Sequence, residues 1–256
     1  MNILVCMKAV PSTGQVEVDG QFKLQRSSAK LEWNIADQAA LEAALQLKAE
    51  SDTVTVISMG PKKLEESMIP LLARGADRCV LVTDPAFAGS DTYATANVLA
   101  RSIRHLGAFD LILCGRRAID GETGQVPGML ATALAIPCVT NAEKLEKQSD
   151  SLCVTRRLEQ GTYQLVLPSP GLVSVCEYTY SLRLPGILGM RRARNKTVEL
   201  LTQADLGCAA PSWGLSGSLT KVIAMDSKFP GLRKGPICKD TAEGIATILS
   251  MLKEVE

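Results

Sequence analysis

Aromatic residues are scarce in this chain, at 4% of 256 residues. That leaves few stacking platforms for single-stranded nucleic acid. Charge of one sign is also missing: Lys and Arg number 28 against 27 Asp and Glu, a net charge of +1. No global field therefore points to nucleic acid or to an anionic membrane. There is one histidine, His105, so a Ser-His-Asp or Cys-His centre is not expected. His105 is read instead as a last-turn helix residue facing the dipole, beside Arg101 and Arg104. No apolar run approaches the roughly 18 residues of a membrane span. Met1–Val5 enters a strand pattern with no basic segment before it, so no secretory signal and a cytoplasmic location are expected. The eight cysteines form no C-x-x-C pair and no metal-ligand spacing; they read as small buried thiols in a reducing compartment.

What is present is alternation of strand and helix. Asn2–Met7, Thr53–Met59, Arg78–Thr83 and Asp110–Cys114 are apolar runs of the kind buried on both faces of a parallel sheet. Helical patterns separate them. Asn34 is placed to cap a helix from Ile35 to about Ala49, with Asp37 in its first turn. A helix after Gly60-Pro61 contains Pro70, which should kink or split it, and ends near Gly75. Another runs from Asp91 to about Leu106. The spacing predicts a hairpin over Gln15–Leu24 around Asp19-Gly20, and a fifth strand over Ile136–Thr140. The fold class expected is α/β: a doubly wound, mainly parallel sheet with ligands at the carboxyl ends of its strands. Gly60, Gly115 and the Lys8-Ala9 turn all follow strand ends and can converge on one crevice.

Beyond residue 140 the pattern changes. Glu143–Leu145, Ser151–Arg157, Thr162–Leu167 and Leu172–Cys176 read as an antiparallel extension. Residues 177–239 show little periodicity, and a long irregular stretch of this kind suits a segment lying on a partner. Asp240 and Glu243 form a capping box for a last helix with Ile245, Ile248, Leu249 and Leu252 on one face. The division expected is a nucleotide-binding domain over 1–177 and a partner-embracing arm with its helix over 178–256.

The most informative stretch is Leu111–Leu130, LILCGRRAIDGETGQVPGML. A strand opens at Gly115 into a turn with Gly121 and Gly124, and a helix follows from Val126. Glycine lets backbone approach a ligand, and free N–H groups at a helix start point at an anion. Plain strand–turn–helix connections share this pattern. Asp120 and Glu122 are read as ribose ligands or caps, or as an acid–base pair. Neither G-x-x-x-x-G-K-[ST] nor an early G-x-G-x-x-G is present. The Lys8-Ala9-Val10-Pro11-Ser12 turn speaks for holding a nucleotide over adenylyl transfer. Arg191, Arg192, Arg194 and Lys196 form a basic run, either a solvated face or a docking patch for an acidic protein or a pyrophosphate.

These residues resemble a family. Val5-Cys6-Met7-Lys8 with Val10-Pro11, Asn34 with Asp37 and Ala40–Ala44, Ser58–Pro61, Gly75–Asp77, Phe87–Thr92, Cys114-Gly115 through Ala118–Thr123 to Gln125-Val126, and Leu184–Ile187 are similar to the β (small) subunit of electron transfer flavoproteins over nearly the whole chain. The resemblance implies an adenine-nucleotide-binding sheet in a heterodimer, whose α subunit carries the flavin that does most of the electron exchange. It implies a second nucleotide in this chain: FAD in electron-bifurcating members, AMP in simple carriers. Asp120–Thr123 with Gln125-Val126, and Ala88–Thr92, resemble the FAD-holding type. The implied cofactor contacts are Cys6, Asn34, Asp37, Met59, Gly115, Arg116, Ala118, Ile119, Asp120, Gly121, Glu122, Thr123, Gly124, Gln125 and Val126. Glu122, Gly124 and Pro127 depart from the family's usual residues. NADH is implied as an electron donor. The implied partners are the α subunit, a dehydrogenase of the acyl-CoA type, and ferredoxin or flavodoxin. Docking on the dehydrogenase is implied for Leu184, Pro185, Ile187, Arg191 and Arg192. A stand-alone nucleotide-binding regulatory protein is the alternative from another class.

Overall fold

The computed structural model describes residues 1–12, 30–148, 151–207, 213–221 and 240–253. The hairpin expected over Gln15–Leu24 lies outside them. In chain order the elements are β1 (Asn2–Cys6), β2 (Ala9–Pro11), β3 (Leu31–Trp33), α1 (Ile35–Leu47), β4 (Thr53–Met59), α2 (Glu65–Arg74), β5 (Arg78–Val82), α3 (Thr92–Leu106), β6 (Leu111–Gly115), α4 (Val126–Leu134), β7 (Cys138–Lys147), β8 (Ser151–Leu158), β9 (Gly161–Pro168), β10 (Gly171–Val175), α5 (Ile187–Ala193), β11 (Glu199–Leu201), α6 (Gly214–Gly217) and α7 (Thr241–Lys253).

The main sheet has the order β11-β5-β4-β1-β6-β10-β7-β8-β9. Neighbours from β11 to β7 are parallel, and β7, β8 and β9 pair antiparallel. Alternate residues of the central strands feed two cores, because side chains of a strand point to opposite faces. Ile3 and Val5 of β1 pack with α1 and α2 on one face. Leu4 and Cys6 pack with α3 and α4 on the other. This is the doubly wound α/β architecture that the alternation predicts. The chain fills β4 and β5 on one side of β1 and then crosses to β6 on the other. The carboxyl ends of β1 and β6 therefore flank the topological switch point, where such sheets leave a crevice.

Several elements differ from the sequence reading. Leu172–Val175 is not part of the antiparallel meander: β10 inserts parallel between β6 and β7. All five of its residues are buried, as befits a strand covered on both faces. The expected fifth strand and the Glu143–Leu145 strand are one element, β7. Pro70 does not split α2, because Met68, Leu71 and Leu72 are buried on the sheet and hold the helix across the missing N–H. The short strands β2 and β3 pair with each other, and β11 adds an edge beside β5; none was foreseen.

By contacts the chain divides into Met1–Lys221 and Val222–Glu256. In the second unit, α7 begins where Asp240 Oδ1 accepts the Glu243 amide (2.9 Å), the capping expected there. Its Ile245, Ile248 and Leu249 are exposed.

Candidate functional site

The site starts at the N-terminus of α1. Asn34 and Asp37 are buried, and both serve a loop some 80 residues away in sequence instead of their own helix. Asn34 makes no side-chain cap bond. Its Nδ2 donates to the Arg117 carbonyl (2.9 Å), and its Oδ1 accepts the Ile119 amide (3.2 Å). Asp37 accepts the Lys8 amide on Oδ2 (2.8 Å) and the Gly115 amide on Oδ1 (2.9 Å). The capping roles expected for these residues are thus replaced by tertiary ones, since a short polar side chain satisfies a distant amide as readily as a local one. Burial pushes the Asp37 carboxyl up to about 7, against the opposing hydrogen bonds from Lys8, Asn34 and Gly115.

Gly115 is required by this packing. A Cβ there would lie 2.2 Å from Asp37 Oδ1 and 2.7 Å from the α1 backbone. The loop then leaves β6. The Arg116 amide donates to Val175 O (2.8 Å), and its guanidinium turns to Glu177 (2.5 Å). Arg117 reaches Glu177 (3.5 Å) and Glu122 (3.7 Å). Lys8 Nζ grips both oxygens of Asp120 (2.7 and 2.8 Å) and ties the loop to the end of β1. Glu122 is left-handed at φ 49°, a conformation that costs a non-glycine residue about 1–2 kcal/mol. Thr92 Oγ1 donates to Gln125 Oε1 (3.2 Å) just before α4. In the first turn of α4, Val126 and Gly128 have no intrahelical acceptor for their N–H groups, and Pro127 has none to satisfy.

This loop walls a cavity of about 960 Å³ at the carboxyl ends of β1, β4, β5 and β6. Of the residues read from the sequence, Cys6, Asp37, Met59, Gly115, Ala118, Gly121, Glu122, Thr123, Gly124 and Val126 line it. Lys8, Gly60 and Gly115 converge there, as their places after strand ends predict. Asn34, Arg116, Ile119, Asp120 and Gln125 do not line it: Asn34 and Asp120 fix the loop from behind, and Arg116 points to Glu177. A Cβ on Gly121 would meet nothing of the chain and would project into open space. The structure adds Val82, Thr83, Asp84, Thr95, Leu99 and Thr202 to the lining. Thr83 and Asp84 follow β5 as Gly60 follows β4, so the strand-end rule was a signal for them. Thr202, arriving behind the unforeseen β11, left none.

The docking candidates lie elsewhere. Leu184 and Ile187 are 86% and 89% exposed; Pro185 is half-buried, and Arg191 and Arg192 are exposed. Their segment is anchored where Arg183 donates through its amide (3.1 Å), Nε (2.9 Å) and Nη2 (2.8 Å) to buried Glu42 of α1, and where α5 packs on α2. His105 is exposed in the last turn of α3, as read. Cys79 is buried, and that burial pushes its thiol up to about 12. Among the described residues no cluster of His, Cys, Asp and Glu could hold a metal. No helix among them is long and apolar enough to cross a membrane.

Comparison with known proteins bears on the same region. The electron transfer flavoprotein domain matches residues 21–206. The electron transfer flavoprotein subunit beta of Thermoanaerobacterium thermosaccharolyticum is 43% identical over 88% of this chain and 87% of its own. That of Clostridium acetobutylicum is 38% identical over 99% and 98%. The caffeyl-CoA reductase-Etf complex subunit CarD of Acetobacterium woodii is 34% identical over 99% and 98%. With the domain spanning most of the chain and these relatives covering nearly all of it, the chain belongs to the electron transfer flavoprotein family, in its β-subunit branch.

Proposed function

We propose that this chain binds FAD in the switch-point cavity and works beside an α subunit, passing electrons between a donor such as NADH and a partner dehydrogenase, with bifurcation of the electron pair. The observation that carries the reading is the cavity itself. At about 960 Å³ it stands near the top of the roughly 300–1,000 Å³ range of small-molecule sites, more room than a mononucleotide fills. The residues fit the group. The start of α4, where Val126 and Pro127 line the cavity, would offer its free N–H groups to a pyrophosphate. Lys8 also lines the cavity, its ammonium held by Asp120, and Gly121 leaves the approach clear. A flavin supplies reversible one- and two-electron chemistry; this chain orients it, screens it from water with the Phe87 and Leu99 side, and holds the loop rigid through Asn34, Asp37 and Asp120. The relatives named as subunits of a caffeyl-CoA reductase complex and of an acryloyl-CoA reductase support a partner acting on a CoA thioester. For this partner we assign docking to Leu184, Pro185, Ile187, Arg191 and Arg192, with residues 178–256 as the arm that embraces the α subunit.

The test is a flavin count on the purified heterodimer. Two flavins per heterodimer are expected; one flavin plus AMP would make the chain a simple carrier subunit. Gly121→Val, at a lining position where an added Cβ meets nothing of the chain, is expected to empty this site and leave the α-subunit flavin in place. Unchanged nucleotide content would remove this loop as the cradle.

A further inference from the structure

Two thiols meet on the floor of the cavity. Cys6 ends β1 and Cys114 precedes the last residue of β6, and the two are register partners on adjacent parallel strands. Both line the cavity; Cys6 is 9% and Cys114 4% exposed. Their side chains lie on the same face of the sheet, and the neighbouring Cys6, with burial behind it, holds the Cys114 thiol well above its ordinary value. Neighbouring strands lie about 4.7–4.9 Å apart, inside the roughly 4.4–6.8 Å Cα window of a disulfide but below its favoured separation. A bond formed there would be strained and so easily reduced.

We propose that Cys6 and Cys114 form a paired-thiol modification site at the switch point, closed to a disulfide by hydroperoxides and bridged by trivalent arsenicals, and shielded when the cavity is filled. The more open Cys6 sulfur attacks a peroxide oxygen, the O–O bond breaks, water or alcohol leaves, and Cys6 becomes a sulfenic acid. The Cys114 sulfur then attacks the Cys6 sulfur, the S–O bond breaks, and water leaves with the Cys114 proton. The two thiols lose two electrons, and the hydroperoxide gains them. The new bond draws together the strand ends from which Lys8 and the Gly115 loop depart, so the modified chain holds nucleotide poorly. Cys79 does not line the cavity, and its register partner is Val56, so it stays reduced. The shielding clause rests on the nucleotide reading above; the thiol pair does not.

The experiment treats the nucleotide-stripped full chain with hydrogen peroxide and maps its peptides without reduction. A single cross-link joining the peptides of Cys6 and Cys114 is expected, with loss of two titratable thiols and reversal by dithiothreitol. Cys114→Ser should abolish it. Should that variant fail to fold, phenylarsine oxide on the unaltered chain serves: one arsenic is expected to bridge the same two peptides. No cross-link, or one joining Cys114 to Cys138, overturns the proposal. Prior addition of FAD is expected to slow closure at least about tenfold. Closure at one rate with and without FAD or AMP leaves the thiol pair standing and overturns the nucleotide reading of the cavity.

Discussion

A single carboxyl, Asp37, shows how much of the site rests on one side chain. It accepts amides from residues on two different strand ends while buried. Because burial raises its pKa to about 7, the folded chain keeps a proton there that the unfolded chain releases near its usual value of about 4. The stability linked to this proton is fully present below about 4 and is lost as pH rises through about 7. Urea midpoints should therefore fall between pH 5 and pH 8, and Asp37→Asn, which cannot titrate, should flatten that fall while lowering stability at both by about 1–3 kcal/mol, the cost of a buried amide left without an acceptor. The identity of this residue as important was legible in the sequence; its partners were not. An Asn and an Asp at a helix start satisfy the local capping rule equally well, and nothing in a linear pattern says that residue 115 comes close. Gly115 itself was legible as a turn glycine, although its stronger reason is the Asp37 oxygen lying where a Cβ would be.

Helix α1 connects the cavity loop with the segment proposed for docking, two regions that the sequence kept apart. Its first turn holds the loop, and Glu42, on the second turn, holds Arg183 beside exposed Leu184. Removing one partner leaves a buried carboxylate or a loosened arginine, at about 1–3 kcal/mol for charge-assisted hydrogen bonds. Glu42→Gln is expected to raise the KM for the partner dehydrogenase several-fold, leave kcat near its original value, and spare nucleotide content. Loss of nucleotide in step with activity would show that the pair supports the body of the fold and not the docking segment. At this scale the first four strands were readable as continuous apolar runs. The parallel place of β10 was carried by the same signal, a short stretch apolar at nearly every position, but strand partnership is not written in the pattern of one strand. Elements of three residues, such as β2, β3 and β11, are too short to show any period at all.

The whole molecule carries almost no net charge, yet Arg191, Arg192 and Arg194 are exposed on and just after α5. Local charge on a neutral body steers an acidic partner and is screened within about 8–10 Å at physiological salt. The second-order rate of electron transfer to the partner dehydrogenase is expected to fall as ionic strength rises, and Arg191→Ala with Arg192→Ala should lower the rate at low salt and flatten its salt dependence. A salt-independent rate in the unaltered protein would make the run a solvated face. The position of the cavity was legible at this scale from chain order alone, since strands added first on one side of β1 and then on the other leave a gap at their carboxyl ends. The packing of residues 178–207 was not: their contacts with α1, α2 and β5 depend on individual side chains in a stretch without periodicity.

The shared carboxyl at Asp37 has a kinetic signature. The amide protons of Lys8 and Gly115 hang from the two oxygens of one carboxyl, so an opening that withdraws that carboxyl frees both to solvent. In deuterium, the two should show the same protection, once each amide's intrinsic exchange rate is divided out, although 107 residues separate them, and both should slow together when the cavity is filled.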